Sequence, residues 1–179
     1  MPNLEEAVER VLAGDPAAFG QIVEATSGRL VRMSARMLGN VTDAEDVVQE
    51  AFVKAYRALA GGQFDGRSRI ETWLTRIVVN ATLDAKRARA RSRLTSASDV
   101  LEDLGGFDGV ETQDARLALR ELSSWVEGLP EEQQTVVWLK SIEGLESSEI
   151  AEILGCSEGA IEQRLVRARQ GLREKRRAS

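Results

Sequence analysis

Ser147-Ser148-Glu149-Ile150-Ala151-Glu152-Ile153-Leu154-Gly155-Cys156-Ser157-Glu158-Gly159-Ala160-Ile161-Glu162-Gln163-Arg164-Leu165 is the stretch on which the fold turns. Its first part reads as a short helix from Ser148 to Leu154. Gly155 can take the positive φ of a helix C-terminus. Ser157 suits the N-cap of a second helix. Ala151 is small where two helices would cross, and Ile161 is spaced to pack back onto the first helix. Two helices joined by so short a turn form a helix-turn-helix, whose second helix enters the major groove of DNA. The alternative is an ordinary helical hairpin with a solvated basic end. On the second helix Ile161, Leu165, Ala168 and Leu172 form an inward stripe. Gly159, Glu162, Gln163, Val166 and Arg167 are left facing outward.

Charge along the chain agrees with DNA binding, although the sum does not. The formal net charge is −5, but distribution matters more than total. Arg164, Arg167, Arg169, Arg173, Lys175, Arg176 and Arg177 make the C-terminal segment basic. Arg76, Lys86, Arg87, Arg89, Arg91 and Arg93 do the same earlier. Between them Asp99, Glu102, Asp103, Asp108, Glu111 and Asp114 form an acidic stretch containing Gly105, Gly106 and Gly109. Weak periodicity and few large apolar residues make that stretch a linker. Given the acidic total, the free chain is expected to bind duplex DNA weakly and in a salt-dependent manner.

Upstream, helical periodicity recurs and strand alternation does not. A short helix is predicted over Leu4 to Ala13, broken by Gly14-Asp15-Pro16. A second runs from about Ala17 to Leu38, with Phe19, Ile22, Val23, Leu30 and Met37 apolar. Thr42-Asp43-Ala44-Glu45 and Ser68-Arg69-Ile70-Glu71 both match capping boxes. The first opens a helix carrying Val47, Val48, Ala51, Phe52, Ala55 and Leu59. The second opens one with an apolar stripe of Ile70, Trp73, Leu74, Ile77, Val78 and Ala81. Downstream of the acidic stretch a helix resumes near Gln113, and Pro130 starts another that ends near Gly144.

Several kinds of chemistry are ruled out by composition. There is no histidine, which removes Ser-His and Cys-His pairs and the commonest zinc ligand. Neither a P-loop nor a dinucleotide fingerprint occurs. The chain is therefore read as not an enzyme, with no cofactor and no metal. Cys156 is the only cysteine, so no intramolecular disulfide forms. In the turn it reads as a small packed residue rather than a redox sensor. No apolar run reaches the roughly 20 residues of a membrane span, and the N-terminus lacks the order of a secretory signal. A cytoplasmic protein, nucleoid-associated when active, is expected.

At this point the sequence resembles a family. Leu129-Pro130-Glu131-Glu132-Gln133, Glu143-Gly144-Leu145, Glu149 to Gly155 and Arg164-Leu165-Val166-Arg167-Ala168-Arg169 look like the fourth region of extracytoplasmic-function RNA polymerase sigma factors, of the sigma-70 family. Asp43 to Phe52 is similar to their polymerase-binding segment. Thr72 to Asn80, with Asp84-Ala85-Lys86-Arg87, is similar to the segment that melts and reads the proximal promoter element. The resemblance implies an all-α protein of two small domains. Residues 1–92 would bind core polymerase and melt the proximal (−10) element. Residues 93–112 would be the acidic linker, and residues 113–179 would read the distal (−35) element, with no further C-terminal domain. It also implies core RNA polymerase, duplex and locally melted promoter DNA, and an anti-sigma factor as partners.

Site residues follow from the resemblance together with their positions. Asp43, Asp46, Gln49 and Glu50 are expected on a coiled coil of the polymerase largest subunit; otherwise they are a solvated acidic helix start. Phe64, Arg76, Asn80, Asp84, Lys86 and Arg87 are expected on the proximal element. Phe64 reads equally as a core anchor, and Trp73 reads first as core. Ser157, Glu162, Gln163, Arg164, Val166, Arg167 and Arg169 are expected on the distal element. Two departures stand out. The family commonly has Lys or Arg then Ser where this chain has Glu162-Gln163, and Gln134 stands where Arg is frequent. Both are expected to weaken phosphate attraction. Two other classes remain open: an operator-binding regulator, and an interaction protein that occupies polymerase or an anti-sigma factor without reading DNA.

Overall fold

The computed structural model describes residues 3–93 and 124–178. These are helical with no strand among them, and the chain divides into two compact units. The expected connector, apart from Arg93, and the helix start near Gln113 lie outside the described residues.

The first unit holds α1 (Leu4–Leu12), α2 (Ala18–Leu38), α3 (Val41–Ala60) and α4 (Ile70–Arg93). The helix α2 packs against both α3 and α4, and α1 touches all three. Local chemistry sets the boundaries. The Asn3 side chain accepts from the amides of Glu5 and Glu6 and caps α1. Gly39, at φ 73°, ends α2 in a left-handed conformation that disfavours a Cβ. The helix α3 departs from expectation at its start. Asn40, not Thr42, is its N-cap, and its Oδ1 accepts from the Asp43 amide at 2.8 Å. Two capping candidates lie two residues apart there, and Asn ranks above Thr at an N-cap. At α4, Arg69 rather than Ser68 supplies the first accepting carbonyl, to the amide of Trp73 at 3.0 Å.

An aliphatic core fills this unit: Ile22, Leu30, Met33, Val48, Leu59, Leu74, Val78 and Val79 are all buried. Each large side chain so buried stabilises by roughly 1.5–3 kcal/mol. The buried face of α4 is rotated from the predicted stripe. Ile70, Leu74 and Val78 are buried as expected, whereas Trp73, Ile77 and Ala81 are only half-buried. Thr75, Val79, Thr82 and Leu83 are buried instead. The threonines can face the core because their hydroxyls are satisfied. Thr75 donates to the Glu71 carbonyl and Thr82 to the Val78 carbonyl, each at 2.7 Å. Arg29 donates to Thr75 at 2.8 Å, and Ser34 meets Thr82 at 2.9 Å. A buried hydroxyl with a partner costs little; without one it costs about 1–3 kcal/mol.

The second unit holds a helical turn at 124–127, then α5 (Glu131–Ser141), α6 (Ser147–Leu154) and α7 (Glu158–Ala178). All three helices pack on one another. Val126, Leu129, Val136, Leu139, Ile150, Ile153, Ile161, Leu165 and Ala168 form its core. Gly155, at φ 64°, closes α6, and the Ser157 hydroxyl accepts from the Ala160 amide at 3.3 Å. Glu146 and Glu149 form a reciprocal capping box at the start of α6. The Gly155 end and the Ser157 cap are where the sequence places them; the Glu146–Glu149 box, which starts α6 one residue ahead of the expected Ser148, was not anticipated.

Candidate DNA and polymerase interfaces

In the second unit the predicted inward stripe of α7 is buried through Ile161, Leu165 and Ala168, and Leu172 is half-buried. Their burial leaves Gly159, Glu162, Gln163, Val166, Arg167 and Arg169 exposed. Val166 is 58% exposed. In a groove-facing position it can meet a thymine methyl. Ser157 is exposed but its hydroxyl is committed to the helix cap.

Two expected contacts turn inward. Arg164 is half-buried, 3.0 Å from the Glu132 carboxylate on α5, and its guanidinium also lies 3.5 Å from the Cys156 sulfur. It ties α7 to α5 and is not brought together with Gln163 and Arg167. Gln134, expected to matter for phosphate attraction, is buried. Its amide donates to the carbonyls of Glu127 and Leu129, both at 2.7 Å, and so closes the turn before α5. One pairing was not anticipated: the hydroxyl of Ser147 donates to the Glu162 carboxylate. Nothing in either local sequence signals it, because only the turn brings the two helices together.

In the first unit Asp46, Gln49 and Glu50 are exposed together on α3. Asp43 is half-buried and paired with Arg89 of α4 at 2.7 Å. It therefore joins α3 to α4 as well as bordering that face. Beside the face runs a feature the sequence reading missed. An apolar groove of about 470 Å³ lies between α2 and α3, lined chiefly by Phe19, Val23, Val48, Phe52, Val53 and Tyr56, with Glu45 and Gln49 at its edge. Phe19 packs edge-on against Phe52 and Tyr56, at centroid distances of 6.3 and 5.3 Å. Val53 is 46% exposed one turn beyond Gln49.

On α4, at roughly 100° per residue, Trp73, Arg76, Asn80, Asp84 and Arg87 share one face. Arg76, Asn80, Asp84 and Arg87 are exposed there. Asp84 lies 3.9 Å from Arg87. Lys86 is half-buried and about 120° round the helix from Asn80, so it stands apart from this set. Phe64 is half-buried and meets Trp73 edge-on at 5.3 Å. The two rings form one aromatic pair on the face that carries Arg76: Phe64 anchors its loop and remains partly exposed.

A helical unit with an acidic helix face and an aromatic-basic helix face, and a second unit built as a helix-turn-helix, define a promoter-recognising transcription factor. Family profiles agree. That for Sigma-70 region 2 matches residues 22–92, and that for Sigma-70 region 4 matches residues 119–172. The ECF RNA polymerase sigma factor SigW of Bacillus subtilis is 34% identical over 186 residues, covering 96% of this chain and 95% of that one. The ECF RNA polymerase sigma-E factor of Escherichia coli K12 is 35% identical over 177 residues, covering 94% and 91%. A solved structure of CnrH in complex with the cytosolic domain of CnrY superposes with a TM-score of 0.69 at 31% identity, covering 97% of this chain and 96% of that one. The chain belongs to the extracytoplasmic-function sigma factors of RNA polymerase. It is a transcription initiation factor and not an enzyme. Its region 2 unit serves the −10 element and its region 4 unit the −35 element. No helix among the described residues is long and apolar enough to cross a membrane.

Proposed function

We propose how the work of a sigma factor is divided among the residues of this chain. The observation that carries the reading is the exposed face of α7. Gln163, Val166 and Arg167 project from it, directly over a buried Ile161-Leu165-Ala168 stripe that fixes its rotation. On that face Arg167 donates to a guanine, Gln163 pairs with an adenine, and Val166 contacts a thymine methyl. Arg169 contacts phosphate, Ser157 holds the helix start, and Arg164 buttresses α7 from behind. On the first unit Asp46, Gln49 and Glu50 meet a basic surface of core polymerase, with Asp43 at their edge. Asn80 reads a base edge in the melted proximal element. The Phe64–Trp73 pair stacks an unpaired base, Arg76 and Arg87 hold phosphates, and Asp84 sets the Arg87 side chain. Lys86, on its own flank, makes at most a peripheral phosphate contact.

Domain limits of 1–92, 93–112 and 113–179 complete this reading. So do a cytoplasmic site of action and association with the nucleoid during initiation. CnrH is held in complex with the cytosolic domain of CnrY. On that likeness an anti-sigma factor is proposed as a further partner of this chain.

Site-specific photocrosslinking in the open complex tests the assignment. A crosslinker at Asn80 should label single-stranded DNA of the proximal element, and one at Val166 should label duplex DNA of the distal element. Crosslinks from Val166 to polymerase alone would remove α7 from the groove.

A further inference from the structure

Ser147 is the first residue of α6 and is 5% exposed, so it cannot reach DNA itself. A buried hydroxyl needs a partner. Its partner is Oε1 of Glu162, on the groove-side face of α7. The other oxygen, Oε2, has no hydrogen-bond partner among the described residues. A free glutamate side chain samples many rotamers, and ordering it on binding is unfavourable. Here the carboxylate is held beforehand by a residue of the other helix. The first turn of α6 also favours a negative charge near it.

We propose that Ser147 is a positioning residue for base recognition, holding Glu162 so that Oε2 accepts a hydrogen bond from the amino group of a cytosine in the distal element. This rests on the placement of α7 in the major groove proposed above. A carboxylate can only accept. Guanine and thymine present acceptors at the equivalent groove positions and repel it; adenine offers an amino donor but sets the N7 acceptor beside it, which disfavours a carboxylate there. Cytosine N4 has C5–H, not a ring acceptor, beside it on its own base. With one oxygen committed to Ser147, a single fixed acceptor remains, which suits that single donor. Glu162 thereby selects sequence rather than adding general affinity, because it repels the phosphates around it.

The test uses holoenzyme reconstituted from core polymerase and the full chain, with affinities measured over a library of randomised distal elements. Glu162→Ala should lose preference for cytosine at one base pair by roughly tenfold. Ser147→Ala should lose it at the same pair by at least about threefold, with other sequences bound within about twofold of wild type. In the Glu162→Ala background, Ser147→Ala should change nothing further. Ser147→Thr, which keeps the hydroxyl, should keep the preference. Should Ser147→Ala melt below the assay temperature, Ser147→Cys, a weak donor of similar size, carries the same comparison. An unchanged preference in folded Ser147→Ala would overturn the proposal. So would a uniform loss across all sequences, or an equal effect when Glu162 is already absent. Arg167→Ala separates this failure from that of the groove placement: if neither it nor Glu162→Ala alters any preference, α7 does not read DNA and both readings fall.

Discussion

Reversing the charge at Asp46 and Glu50 should detach the protein from polymerase without unfolding it. The two residues lie one turn apart on the exposed face of α3. Neither has an ion pair among the described residues, so no internal bridge is lost. Replacing both with lysine exchanges one like-charge pair at i,i+4 for another. It also makes the Glu50–Lys54 spacing like-charged and the Asp43–Asp46 spacing opposite-charged, so the changes roughly offset to a few tenths of a kcal/mol. Asp46 lies beyond the first turn of α3, where the helix dipole has largely faded. Stability should therefore change by less than about 0.5 kcal/mol. Across the interface the effect is larger, because each site loses an attraction and gains a repulsion. Taking about 1–1.5 kcal/mol per site gives about 2–3 kcal/mol, or roughly 30- to 150-fold weaker binding. Asp43 is unsuitable for this test because its loss would also strand Arg89. The assay is competition for core polymerase between labelled wild type and the double variant, at two salt concentrations. Higher salt should shrink the difference. A double variant that melts like wild type and binds core equally well would remove the acidic face from the interface.

Arg164→Ala should destabilise the second unit by about 1 kcal/mol, since its bridge to Glu132 is only partly shielded. It should weaken all distal sequences alike, and a base-specific loss in the same library would put Arg164 in the groove instead. Thr82→Val keeps the shape but removes the partner of buried Ser34. Denaturant unfolding should show a loss of about 1–3 kcal/mol, and no loss would mean that Ser34 finds another partner. Lys140 lies 2.7 Å from Glu146, and its hydrogen bond holds that carboxyl below its ordinary value near 4.5. The folded state thus favours the ionised form. The stabilisation is present above Glu146's ordinary range and is lost as pH falls through the lowered folded value. Titration followed by NMR should show the Glu146 carboxyl moving upward in Lys140→Ala, and an unmoved titration would show that the contact does not persist in solution.

Much of the helix-turn-helix is legible in the sequence because its determinants are local. Gly155, the Ser157 cap and the spacing of Ile161, Leu165 and Ala168 lie within a few turns of one another, and all behave as read. The order of helices in the first unit is legible for the same reason. The rotation of α4 is not. Thr75 and Thr82 count as polar in a periodicity argument, yet each satisfies its hydroxyl on its own helix and turns inward. That shift frees Trp73 to meet Phe64. Arg164 with Glu132, Ser147 with Glu162 and Asp43 with Arg89 are pairs between helices. No spacing rule within one helix exposes them. The groove between α2 and α3 is hidden for a related reason: Val23 reads as a core position and Val53 falls off the predicted stripe, and only the packing of the two helices brings them together.

Initiation reconstituted from purified core polymerase and this chain alone, on templates with randomised proximal and distal elements, tests the account most directly. The account predicts transcripts from fixed start sites only when the chain is added, with selected templates sharing two separate conserved elements. Single-strand-specific probing should show the proximal one melted and the distal one double-stranded. A chain that binds core polymerase yet yields no template-selective transcript, or that selects the distal sequence equally well without polymerase, would contradict it.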